Sequence, residues 1–306
     1  MQLTRREFAG LVTGAAVPEG TLPVRKLGKI PFKASILGLG AQRISDRPME
    51  QSAVDRLIGE MLDSGMNYID TARGYGASEE LLGRALKGKR DKVFLVSKTR
   101  SATREEALKD VRESLVRLQT DYLDCYHIHN VAREDRYPDL EAALSEKGVL
   151  GGLVEAKKQG MIRHIGCTAH LKAARALSAF ATGEIELFMC TLNFVERHIY
   201  NFEERALPQA RRRGIGVVAM KVLGGPMKGP TPRLASPEDY AMTLRYVWGV
   251  RDVAVAVIGM RSVEEFRQAL KAAREWRPFS KIELASVLER GKKLAAEWGE
   301  VRGPAV

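Results

Sequence analysis

The sequence predicts a single α/β domain closed as a (β/α)8 TIM barrel, preceded by a short N-terminal β-hairpin, and three observations point there. Short apolar runs recur eight times between amphipathic stretches, helix caps stand at the junctions, and no linker, internal repeat or low-complexity segment interrupts the alternation. Parallel strands need a crossover between them, and eight such units close a ring. The 306 residues, 45% hydrophobic and 28% charged, suffice for a core of that size. A doubly wound sheet is the rival fold. Its glycine fingerprint is represented only by Gly38-Leu39-Gly40, which lacks the third Gly and opens no immediate helix.

In chain order, Val24 to Lys33 reads as two extended runs around a Gly-containing turn, a hairpin. Strands are expected at Ile36–Leu39, Tyr68–Ile69, Val93–Val96, Leu123–Ile128, His164–Gly166, Leu187–Leu192, Gly216–Met220 and Val253–Ile258. Between them, Val54, Leu57, Ile58, Met61 and Leu62 form one helical face that stops at Gly65. Thr103-Arg104-Glu105-Glu106 is a capping box ahead of Leu108, Val111, Leu115 and Leu118 at helical spacing. Two further helices stop at Gly160 and Gly214. Ser236-Pro237-Glu238-Asp239 supplies an N-cap with Pro at N1, and Ser262-Val263-Glu264-Glu265 caps the last helix of the series.

Chemistry in such barrels sits at the carboxyl ends of the strands. Those ends carry Asp70 and Tyr75, Lys98, His127 and His129, Thr168 and His170, Asn193, Lys221, and Gly259 with Arg261 just beyond. An Asp, a Lys, a Tyr and a His in one mouth suggest general acid catalysis. An ammonium beside a phenol favours its ionisation and a carboxylate keeps that ammonium charged, so Tyr75 is expected to be a usable acid near neutrality.

Asp70-Thr71-Ala72-Arg73-Gly74-Tyr75-Gly76, within Asn67 to Gly83, resembles the signature of the aldo/keto reductases, with Asp and Tyr five apart. Asp121 to Asn130, Arg163 to His170, Gly216 to Gly225 and Val257 to Ser262 resemble that family's fourth, fifth, seventh and eighth strand motifs, in the bacterial style. The likeness runs from about Arg25 to Leu270. It implies a barrel that binds an extended nicotinamide cofactor, NADP(H) ahead of NAD(H), and reduces a small carbonyl substrate. It also implies that Tyr75 donates the proton, Lys98 tunes it, Asp70 holds Lys98 and His129 orients the carbonyl. Thr168, Asn193, Met220, Lys221 and Gly259 are placed by the resemblance along the cofactor, with Arg261 and Ser262 at the 2′-phosphate and Glu265 beside them. The chain departs from the family at Met189, where a Gln is usual, and at Ala169, Glu265 and Ala269. Met220 replaces a stacking aromatic ring, and Glu265 opposes a phosphate. No metal is required.

Other function classes fit less well. A metal-dependent barrel hydrolase would use His127 and His129, two apart on one strand with Cys125, but only five His exist in the chain. A non-catalytic nicotinamide-binding regulatory barrel is the other alternative, and the intact Asp70, Tyr75, Lys98 and His129 argue against it. Forty-nine Lys and Arg against 38 Asp and Glu give a net charge of +11. The positives are scattered apart from Arg211-Arg212-Arg213 and few aromatics interleave, so a solvated basic surface rather than nucleic acid is expected. Three cysteines, Cys125, Cys167 and Cys190, make neither a disulfide framework nor a zinc pattern and read as core residues. No apolar stretch approaches the ~20 residues of a bilayer span.

Residues 1–20 stand apart from the domain, taken as 21–306. Thr4-Arg5-Arg6-Glu7-Phe8 ahead of an Ala/Gly/Val stretch resembles a twin-arginine signal and implies the twin-arginine export machinery as partner and a periplasmic location. The alternative is a tail on a cytoplasmic enzyme. The segment Gly224–Pro237, rich in Gly and Pro, is expected to be a loop over the cofactor, and the short tail from Pro278 to Val306 to be mostly helix beside an open pocket.

Overall fold

A computed structural model describes residues 22–46, 49–225, 233–234 and 236–306. The twin-arginine-like pattern and much of the Gly224–Pro237 loop lie outside the described residues. Two antiparallel strands, β1 (Val24–Leu27) and β2 (Ile30–Ser35), form the expected hairpin. Eight parallel strands then close a barrel: β3 (Leu37–Gly40), β4 (Tyr68–Asp70), β5 (Phe94–Thr99), β6 (Leu123–Ile128), β7 (Ile162–Ala169), β8 (Leu187–Thr191), β9 (Gly216–Met220) and β10 (Val253–Ile258). They run around the ring in chain order, and β10 pairs back onto β3 to complete it.

Strand residues alternate between two apolar layers. Tyr68, Phe94, Val96, Cys125, Met189, Val218, Met220, Val255 and Val257 fill the inside of the ring. Ile69, Leu95, Tyr126, Phe188, Val217 and Ala219 face the surrounding helices. Inward parity therefore passes from Tyr68 to Asp70, from Val96 to Lys98 and from Cys125 to His127, which carries polar groups to the top of an otherwise apolar lumen. The strands of the site are longer than expected. β5 continues through Ser97, Lys98 and Thr99, and β7 runs from Ile162 to Ala169, because ladder pairing with their neighbours outweighs the polar and glycine composition of those positions.

The hairpin closes the other end of the ring. Leu27, Ile30 and Ala34 join the inner apolar cluster, and the Lys29 N–H donates to the Gly214 carbonyl at 2.8 Å. Gly28 adopts φ +57° at the tip, with so little room that an added Cβ would lie 2.4 Å from the Gly214 oxygen. Helix caps follow the sequence: Thr103, Ser236 and Ser262 each accept from the backbone N–H three residues on, and Gly65, Gly160 and Gly214 have positive φ just past their helices. The tail forms the helix Lys281–Trp298 with a full capping box between Ser280 and Glu283. Beyond it, Arg302 turns back onto the loop after β8 and is buried in an ion pair with Glu196, itself 1% exposed. All three cysteines are buried thiols. Among the described residues no helix is long and apolar enough to cross a membrane.

Candidate active site

Asp70 and Lys98 end adjacent strands on the inward parity and meet. The Lys98 Nζ donates to Asp70 Oδ1 at 2.5 Å and to the Thr71 carbonyl at 2.8 Å, with the ammonium only 1% exposed. Burial pulls this ammonium's pKa down, but the charge and hydrogen bonds of Asp70 and Tyr75 outweigh it and hold the pKa above its ordinary value. Lys98 is a fixed cation. Glu79, buried and accepting from Ser97 at 2.6 Å, braces the strand one residue before it.

Tyr75 lies on the loop after β4. The Lys98 Nζ sits 4.9 Å from its ring centroid, and the His129 ring stands edge-on at 5.8 Å and 83°. Burial raises the phenol's pKa more than Lys98 lowers it, so the net shift is upward. The expectation that the neighbouring Lys98 makes Tyr75 a usable acid near neutrality is corrected in direction, because burial raises the phenol more than Lys98 lowers it. His129 is held by its main chain: its N–H donates to the Thr99 carbonyl at 2.9 Å and its own carbonyl accepts from Arg136 at 2.9 Å. Burial first, then the nearby cations Lys98, Arg100 and Arg136, push its pKa well down, so the imidazole is neutral. His129 Nδ1, His170 Nδ1 and Asp70 Oδ2 have no hydrogen-bond partner among the described residues. Buried polar atoms in that state are uncommon and mark a mouth shaped for a polar guest.

The positions assigned to the cofactor fall on the far arc of the ring, from β7 to β10. Thr168 Oγ1 accepts from the Asn130 N–H at 2.7 Å, which leaves the hydroxyl proton to donate. Asn193 differs. Its amide donates to Glu196 and to the Lys221 carbonyl, and its oxygen accepts from the Val195 and Glu196 N–H groups, so its polar atoms are engaged within the chain and it braces the β8 loop against the β9 loop. Met220 is buried at the end of β9 with Lys221 beyond it in a left-handed conformation. Ser262 caps the helix Val263–Arg274. Glu265 reaches past the usual capping partner to accept from the Arg261 N–H at 2.8 Å.

Four groups of the mouth carry no assignment from sequence. Arg43 packs across Gly259, where an added Cβ would lie 2.6 Å from its Cδ. His170 ends β7, and Arg100 and Arg136 follow β5 and β6. Arg100, two residues past Lys98, could be found by extending β5 through its polar end; Arg43 opens a four-residue helix, Arg43–Asp46, and Arg136 lies in a loop, both too short of periodicity to betray them. His127 is buried below the site with both ring nitrogens unpartnered, and Gly166 leaves it room, an added Cβ there falling 2.6 Å from the ring. Among the described residues no three His, Cys, Asp or Glu side chains form a group able to hold a metal ion.

The model of the aldo/keto reductase family matches residues 36–230, spanning β3 to the loop after β9. The chain belongs to the aldo/keto reductase family. The aldo-keto reductase YhdN of Bacillus subtilis is 32% identical over 198 residues, covering 59% of this chain and 56% of that protein. The chain spans about half the length of the first curated relatives it matches. The fold is shared with an aldo-keto reductase from Bacillus halodurans in its holo form (TM-score 0.71, 22% identity, 92% of this chain and 100% of that one). It is shared as well with one from Klebsiella pneumoniae in complex with NADPH (TM-score 0.69, 22% identity, 88% and 95%). The motifs quoted from the sequence lie within the matched segment, save the eighth strand.

Proposed function

We propose that the protein is an NAD(P)H-dependent oxidoreductase that reduces aldehyde or ketone carbonyls to alcohols, one barrel domain over residues 21–306 with Tyr75 as the general acid. The observation that carries this reading is the Lys98 ammonium locked between Asp70 and the Thr71 carbonyl, beneath the Tyr75 ring and facing a neutral His129. Family membership supports the cofactor. The residues present fit it: a free hydroxyl proton at Thr168, an apolar floor at Met220, a close-packed Gly259 and basic groups at Lys221 and Arg261. A bound reduced nicotinamide supplies hydride. Tyr75 gives its phenolic proton to the carbonyl oxygen as negative charge grows there. His129, neutral, directs a second N–H at the same oxygen, and the Lys98 charge stabilises the phenolate left behind. Oxidation of NADPH upon adding a panel of aldehydes and ketones tests the reading, and absence of turnover with every carbonyl would favour the regulatory barrel.

For the cofactor, Arg261 favours NADP(H), since a guanidinium fork suits a phosphate, while Glu265 beside it opposes one. Arg261→Ala is expected to weaken NADPH by about 1–3 kcal/mol and NADH far less, read by fluorescence titration of the protein. Equal affinities of the parent for the two cofactors would reject the preference and make Glu265 the deciding residue.

For location, residues before about Gly20 are proposed to direct export through the twin-arginine route, on the pattern Thr4 to Phe8 alone. Cells making the native chain and the Arg5→Lys, Arg6→Lys double variant are fractionated: the parent is expected in the periplasm and the variant retained inside. Both wholly in the cytoplasm would reject export.

A further inference from the structure

A group of cations above Tyr75 and His129 is left over once the reaction and the cofactor are accounted for. Arg100, exposed at the end of β5, lies against Gly74, where an added Cβ would come within 2.7 Å of its guanidinium carbon. That places it one residue from Tyr75. Arg136, half-buried on the loop after β6, spends one N–H on the His129 carbonyl. The surrounding arginines have carboxylates: Arg73 pairs with Asp110 and Glu113, and Arg133 with Asp135. No ion pair to a carboxylate forms at Arg100 or Arg136 among the described residues.

The two guanidiniums also sense each other and the reacting groups. Burial first, with the charges of Arg100 and Arg133, pulls the Arg136 pKa down against the opposing effects of Tyr137 and Asp135, and the Arg100 charge reaches both Tyr75 and His129. Neither guanidinium is bound to a carboxylate, although the Asp135 charge partly offsets that of Arg136, and an anion arriving between them would relieve their repulsion and accept bidentate hydrogen bonds from them. The ring separates this pair from the cofactor's cations. In the eight-strand order β5 lies opposite β9, which leads to Lys221, and β6 lies opposite β10, which leads to Arg261.

We infer that the carbonyl substrate carries an anionic group, a carboxylate or a phosphate monoester, received by Arg100 and Arg136 while its carbonyl reaches Tyr75 and His129. The inference rests on the reductase reading and names its substrate class.

The test compares matched pairs, benzaldehyde with 4-carboxybenzaldehyde and glycolaldehyde with glycolaldehyde phosphate, by NADPH absorbance. The parent is expected to favour the charged member of at least one pair by roughly tenfold or more in kcat/KM, the scale of a charge-assisted hydrogen bond. Which pair shows it separates carboxylate from phosphate. Arg100→Met should abolish most of that ratio, Arg100→Lys should keep much of it, and added salt should erode it. Equal kcat/KM within both pairs, or a ratio untouched by Arg100→Met, overturns the inference while leaving the reductase reading intact. If no aldehyde is reduced, the reductase reading fails instead, and calorimetry with 4-(hydroxymethyl)benzoate against benzyl alcohol decides the anion site: a preference for the carboxylate that Arg100→Met removes supports it, and equal binding overturns it.

Discussion

Tyr75→Phe is expected to lower turnover by about 10²-fold or more while leaving cofactor affinity nearly unchanged, because the ring stays and only the acidic O–H goes. The ring contacts to the Lys98 ammonium and to the His129 edge survive the change, so a large loss in kcat reports the proton and not the packing. Turnover at the parent level would reject Tyr75 as the acid. The direction of the phenol's shift sets the pH dependence. Burial lifts it above its ordinary value despite Lys98, and a group raised in this way keeps its proton to higher pH. Reduction should therefore hold through the neutral range and fall only above pH ~10, the ordinary phenol value. An acid that weak still suffices, since an alkoxide is a much stronger base than a phenolate. What Lys98 contributes is a lower barrier to leaving the phenolate behind, not an acid poised at neutrality.

Lys98→Met is expected to reduce turnover by a similar factor and, unlike Tyr75→Phe, to destabilise the fold. It strands Asp70, 4% exposed, as a buried carboxylate without its cation, a loss of about 3–5 kcal/mol at neutral pH. The sign with pH is defined: an unpaired buried carboxyl has a raised pKa in the folded state, so the deficit shrinks as pH falls and the group takes up a proton. Asp70→Asn combined with Lys98→Met should restore much of the stability and none of the turnover. Urea unfolding of the three variants checks this. A single Lys98→Met variant as stable as the parent would mean that the pair is not the structural clamp described above.

The barrel and its catalytic pair are legible in sequence for one reason: strand parity is a local signal. Once Tyr68 and Val96 are inward, Asp70 and Lys98 must be inward as well, and adjacent strands bring them together. The remainder depends on where loops land. Asn193 reads as a cofactor residue because of its position after β8, yet its amide is engaged by Glu196 and Lys221, partners that no spacing rule supplies. Arg302 meets Glu196 across 106 positions of chain, and nothing near either residue announces the other. The phenol's upward shift is invisible for the same reason. The sequence shows that an ammonium is near Tyr75 but not how the surrounding loops and strands pack around the phenol.

The plug at the closed end of the ring sets a constraint on the order in which the chain can be completed. The β1–β2 hairpin is the first described element to be synthesised, but it docks on Gly214 and Gly216, and Arg25 donates to the Val253 carbonyl at 2.7 Å. The Trp248 indole likewise donates to the Ile36 carbonyl at 2.7 Å. A nascent chain therefore carries its first strands without their partners until β10 has left the ribosome. Through most of translation the apolar edge of β3 is open to wrong pairing, and folding of such non-local contacts is intrinsically slow. Amide exchange in the hairpin should become protected only together with β9 and β10, as one late cooperative unit.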